Sequence, residues 1–223
     1  MKPVFQITLS MLLAAYAAGA LAQRAAPRAG TWEFTLQPQY TNSTRVSSGN
    51  GSSADIDSTL GFGLGFAYNL NNHFSLGGDF VWSQADYKAT VTPAAGNPGG
   101  PNTLTGTLYT STIRMNATWN ILASDLTPFV TGGLGSTYVD TSIPNGPPSN
   151  YCWWDPWWGY YCGTYVPTKT STNFSYMGGV GVRWDSSSTF FVRGLVARQW
   201  IDAGGDLGTP WVDQYRVDFG FKF

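Results

Sequence analysis

Apolar and polar residues alternate with a period of two in eight separate stretches of this chain. That spacing puts large side chains on one face of a β-strand and small or polar ones on the other. The clearest stretch is 59–70, where Leu60, Phe62, Leu64, Phe66, Tyr68 and Leu70 alternate with Gly61, Gly63, Gly65, Ala67 and Asn69. A helix would scatter that set around its circumference. Over 31–41, Trp32, Phe34, Leu36 and Tyr40 oppose Glu33, Thr35, Gln37 and Gln39. Phe74, Leu76, Phe80 and Trp82 oppose Ser75, Asp79 and Ser83 in 74–87. The pattern recurs over 104–119, with Ile113, Met115 and Trp119 against Thr112, Arg114 and Asn116. Further strands are predicted over 128–141, 172–184, 189–200 and 211–223. In the last, Tyr215, Val217, Phe219, Phe221 and Phe223 face one way; Gln214, Arg216, Asp218 and Lys222 face the other.

Between these strands the connections alternate in length. Long loops are expected at about 42–58, 89–103, 142–170 and 201–210, and shorter turns at 69–72, 120–126 and 185–188. After residue 22 no segment approaches the apolar length of a membrane-spanning helix. A non-helical chain crossing lipid must pair every backbone group internally, so it has to close on itself. The expected fold is all-β, an eight-stranded antiparallel up-and-down transmembrane β-barrel. Long loops belong outside and short turns in the periplasm, and an even strand count brings both termini to the periplasmic side.

Three segments carry a family resemblance. Tyr215-Arg-Val-Asp-Phe-Gly-Phe-Lys-Phe223 resembles the C-terminal signal by which outer-membrane barrels are recognised for assembly, with Phe219, Phe221 and Phe223 as its alternating aromatics. Pro128-Phe-Val-Thr-Gly-Gly-Leu-Gly135 and Met177-Gly-Gly-Val-Gly-Val-Arg-Trp184 are similar to strands of the OmpA-like/OmpW-like small outer-membrane β-barrel superfamily. The resemblance covers roughly the whole chain after residue 22 and implies a stand-alone barrel without a peptidoglycan-binding domain. It implies outer-membrane lipid, lipopolysaccharide and the barrel assembly machinery as partners.

Composition agrees. Charged residues make up 11% of the chain and aromatics 16%, against about 25% charged in ordinary soluble domains. A formal net charge of −1 offers no basic patch for nucleic acid. Residues 1–22 read as a cleaved signal peptide: Lys2, an apolar run from Val4 to Leu21, and the small-x-small Ala20-Leu21-Ala22 before Gln23. Residues 23–223 form the barrel domain. Cys152 and Cys162 are close in sequence, and an oxidising compartment favours a disulfide between them.

Candidate chemistry falls in three places. Inward alternation assigns a lumen set: Glu33, Asp79, Arg114, Arg183, Arg193, Arg216, Asp218 and Lys222. Glu33 and Lys222 are expected to approach where the first and last strands meet. The set either lines a narrow ion path or packs as a polar core. Eight strands leave an interior only wide enough for side chains, which favours the core. Secondly, enzymes on small barrels use His with Ser or acidic partners toward the outer face. The single histidine, His73, follows a short turn at the other end. No catalytic, cofactor or metal site is expected. Thirdly, Trp153, Trp154, Trp157, Trp158, Tyr160 and Tyr161 crowd the loop between the cysteines. They either cap the barrel or contact a glycan or protein. Aromatics near strand ends, such as Trp32, Trp82, Trp119 and Trp184, read as belts at the membrane interfaces. The favoured function is structural and surface-interacting, through the outer loops. A porin-like, OmpW-like narrow pore for small or hydrophobic solutes is the alternative, and an outer-leaflet lipid-modifying enzyme a weaker one.

Overall fold

The computed structural model describes residues 27–48, 51–92, 102–157, 159–204 and 209–223. The expected signal peptide lies outside the described residues. Strands β1 (Trp32–Thr41), β4 (Thr59–Asn69), β5 (Phe74–Val91), β6 (Asn102–Asn120), β7 (Leu126–Pro144), β10 (Thr168–Asp185), β11 (Phe190–Ile201) and β12 (Trp211–Lys222) correspond to the eight predicted stretches. Each pairs antiparallel with its sequence neighbour among them. β1 pairs with β12 to close the ring, in a register that opposes Phe34 to Phe221 and Leu36 to Phe219. The architecture is a closed eight-stranded antiparallel barrel.

Alternation sorts the faces as the sequence predicts. Leu60, Met115, Leu134, Val180, Phe219, Phe221 and Phe223 stand exposed on the outer wall. Threonines, glutamines and charged residues are buried inside, so this barrel is apolar outside and polar within. Inner glycines make room for large neighbours. The ring of Phe191, wholly buried, occupies the space that a Cβ on its cross-strand partner Gly220 would take.

Four strands exceed their predicted ends. β5, β6, β7 and β10 run 18 or 19 residues, against the roughly 9–11 that span a bilayer. β6, β7 and β10 gain one or two residues at the short-turn rim, and all four gain two to four at the long-loop rim. There the lipid-against-lumen alternation stops marking strands, while Thr, Ser and Tyr still favour extended pairing. The 42–58 connection, expected as a loop, contains two further strands, β2 (Thr44–Ser47) and β3 (Ser53–Ile56). β3 pairs with the extension of β5, opposing Ile56 to Tyr87. In the longest connection, β8 (Ser149–Asp155) and β9 (Gly159–Tyr165) form a separate two-stranded sheet. The connections at the opposite rim stay short.

A branched side chain at position 220 would collide with Phe191. Gly220→Val is expected to abolish the folded, heat-modifiable band of the refolded protein on cold SDS gels. Gly194→Ala, where an added Cβ meets no atom within 4 Å, should retain most of it.

Candidate functional site

All eight residues of the predicted lumen set point inward and are buried. They fall into two layers. In the layer toward the long loops, Asp79 accepts from Arg114 Nε at 2.9 Å, from Arg216 Nη1 at 3.1 Å and from Asn116 Nδ2 at 2.8 Å. Asp218 lies 3.0 Å from Arg193 Nη2 and 2.8 Å from Arg216 Nε. The latter contact is an ion pair too poorly aligned to count as a hydrogen bond. Above this layer, Arg114 donates to Gln199, which also receives Gln214 and donates to Thr137.

The second layer lies at the short-turn rim. Glu33 and Lys222 are cross-strand partners, as expected. Their ionic partners are different ones: Glu33 takes Arg183 Nη2 at 2.7 Å, and Lys222 Nζ takes Asp185 at 2.8 Å. The lumen is narrow enough for the long Arg183 side chain to reach Glu33 from β10. Asp185, which the sequence places in a turn, is the last residue of β10 and turns into the barrel.

Arg28 completes this layer and was not foreseen. It precedes the first strand and is 1% exposed. Its guanidinium bonds Asp185 at 2.7 Å and donates to the carbonyls of Asn72, Leu122 and Ser124. One side chain thereby joins all three short turns. Burial lowers its pKa from the ordinary value, against the opposing pull of Asp185. No alternation marks a residue outside the strands, so the sequence pattern carries no signal for it.

The ionic layers divide the interior. A cavity of about 120 Å³ lies beneath the long-loop rim, between a polar floor that includes Thr112, Thr137 and Gln214 and walls that include Val46, Ile56 and Leu108. A smaller one of about 30 Å³ lies beyond the Asp79 layer, against Thr35, Gln37 and Arg193.

The β8–β9 hairpin is the second candidate site. Cys152 and Cys162 oppose each other in its ladder and form the expected disulfide. Trp154 pairs with Tyr160 and Trp153 with Tyr161. Trp154, Trp157 and Tyr160 are 66%, 83% and 74% exposed. Trp158 lies outside the described residues.

His73 sits at the short-turn rim, where its Nδ1 lies 2.9 Å from the carbonyl of Asn120. Among the described residues no group of three His, Cys, Asp or Glu is placed to hold a metal ion.

The family described as outer membrane protein beta-barrel domain matches residues 8–223. The chain belongs to this family. Its place is the bacterial outer membrane. Among solved structures the barrel is similar to Neisserial surface protein A, at 13% identity and a TM-score of 0.49 over 87% of this chain and 96% of that one. It is also similar to the attachment invasion locus protein Ail of Yersinia pestis, solved with the heparin analogue sucrose octasulfate, at 12% identity and 0.48 over 87% and 99%. The outer membrane protease OmpT of Escherichia coli matches at 10% identity and 0.42 over 90% and 97%. These likenesses concern the fold. No curated protein matches.

One further pair escaped the sequence reading. Arg198 and Asp213 face outward between the aromatics of β11 and β12, joined at 2.7 and 3.0 Å, with the guanidinium 3.8 Å over the ring of Trp211. Both share the parity of the outward residues Val196 and Tyr215, which was the available signal.

Removing Asp79 strands two buried cations. Asp79→Ala is expected to destabilise the refolded barrel by about 3–5 kcal/mol. Arg198→Ala, whose surface ion pair is screened by solvent, should leave the unfolding midpoint almost unchanged. Urea unfolding followed by tryptophan fluorescence in lipid vesicles separates the two.

Proposed function

We propose that this outer-membrane barrel is a non-enzymatic scaffold that displays the β8–β9 hairpin for contact at the cell surface. The exposure of Trp154 and Tyr160 carries this reading. Large aromatic rings left in water on a cross-linked hairpin suit a partner better than a self-packed cap. The disulfide holds them in place before binding, which lowers the ordering cost of a complex.

The orientation follows the habit of such barrels. The rim with the termini and short turns faces the periplasm, and the long-loop rim faces outward. Residues 1–22 serve as the cleaved signal peptide, and Phe219, Phe221 and Phe223 as the signal read by the barrel assembly machinery. Outer-membrane lipid and lipopolysaccharide meet the apolar outer wall.

The narrow-pore reading is weakened by the Asp79 layer, which separates the two interior cavities. A lipid-modifying enzyme is weakened by the position of His73, at the rim away from the outer leaflet.

Cells displaying the Trp154→Ala/Trp157→Ala protein should adhere about tenfold less to glycan-coated or protein-coated surfaces, at equal outer-membrane levels and unchanged barrel melting. Unchanged adhesion with lowered melting would make the rings a cap instead. An epitope inserted at 145–148 should be reached by antibody on intact cells. One inserted at 186–188 should be reached only after permeabilisation; the reverse would invert the orientation.

A further inference from the structure

The register of β8–β9 places three cross-strand pairs on one face: Asn150 with Thr164, Cys152 with Cys162, and Trp154 with Tyr160. All six residues are exposed. At about 3.4 Å per residue, the polar pair and the aromatic pair lie roughly 13 Å apart, with the disulfide between them. The Thr164 hydroxyl donates to Asn150 Oδ1 at 2.9 Å, so the two polar groups are already oriented. An aromatic platform at one end and an amide–hydroxyl pair at the other match the two surfaces of a sugar. Its C–H face stacks on rings, and its hydroxyls bond amides.

Charge selects among sugars. The hairpin from Ser149 to Tyr165 contains one charged residue, Asp155, and no Lys, Arg or His. The four long loops together hold two cations, Arg45 and Lys169, against Asp55, Asp57, Asp155, Asp202 and Asp206. Arg45 is itself 3.4 Å from Asp55. Sulfate and phosphate groups are recognised by clustered Arg and Lys, and the hairpin offers none. Surface-binding membrane segments combine an apolar face with flanking cations. Here the face carries a polar pair and the cations are missing.

We propose that this face of β8–β9 binds an uncharged glycan of disaccharide or trisaccharide length. The proposal rests on the reading of the hairpin as the contact surface, and it names the chemistry of the partner. Trp154 and Tyr160 stack on one sugar ring, while Asn150 and Thr164 hold the hydroxyls of another. The disulfide fixes the distance between them.

The test uses the full mature barrel refolded in lipid nanodiscs, with binding measured by calorimetry. Its probes are uncharged gluco-, manno- and galacto-oligosaccharides of increasing length, sucrose octasulfate, and phosphatidylcholine vesicles. At least one uncharged di- or trisaccharide should bind about tenfold or more tightly than its monosaccharide, with little dependence on salt. Trp154→Ala/Tyr160→Ala should lose that binding, Trp154→Phe should keep part of it, and Asn150→Ala/Thr164→Val should weaken it several-fold. Heat-modifiability on cold SDS gels checks that each variant is folded. Trp154-dependent binding of the octasulfate or of vesicles, with every uncharged sugar silent, overturns the proposal but leaves the hairpin a contact surface. So does Trp154-dependent cell adhesion with no probe bound, which points to a protein partner. If neither adhesion nor any probe responds to Trp154→Ala, the contact reading fails as well.

Discussion

Everything in this molecule follows from the need to pair each backbone N–H and C=O inside a bilayer that offers no water. Helices are not available to a sequence that alternates with a period of two, so the strands must close into a ring. The β1–β12 ladder makes that closure. With eight strands, the ring is narrow enough that side chains fill it. Its outer wall must be largely apolar, so most charged residues of the strands are directed inward; Arg198 and Asp213 face outward only as a pair. There they must find partners, because an unpaired charge in such an interior is costly.

The two ionic layers satisfy that demand in different ways. Each contains three cations and two carboxylates: Arg114, Arg193 and Arg216 with Asp79 and Asp218, and Arg28, Arg183 and Lys222 with Glu33 and Asp185. The excess positive charge is spread over neutral acceptors and rings. Arg114 donates to Gln199 as well as to Asp79. Arg183 lies 3.8 Å over the Phe191 ring, and Arg28 spends its remaining donors on three turn carbonyls. Cross-linking of distant strands and turns is the result, so the polar core ties the barrel wall together across the lumen.

The sequence made the spanning strands legible because a lipid wall and a polar interior impose opposite requirements on successive residues. Leu60 through Leu70 is readable for that reason. The same rule assigned eight inward charges of the strands to their face; Asp185, read as the start of a turn, escaped it. Pairing was less legible: Glu33 opposes Lys222 in the ladder but bonds Arg183, since contacts across the lumen depend on side-chain reach and not on register. Beyond the membrane the two-sided requirement disappears. The extensions of β5 and β6 and the β2–β3 hairpin therefore carried no alternating signal. Arg28 lies outside any strand, and its role emerges only when the three short turns come together. The disulfide was legible from spacing and compartment. The exposure of Trp154 and Tyr160 was not, since a dense aromatic cluster is equally compatible with packing against itself.

Barrel and hairpin thus divide the work: a polar-cored cylinder resists unfolding, and a cross-linked aromatic hairpin stands free of its sheet. The central claim is that the interior is a core and not a conduit. Conductance of the refolded barrel in planar lipid bilayers tests it most directly. The account predicts a quiet baseline across the voltage range. Discrete, reproducible conductance steps from the purified wild-type protein would contradict it.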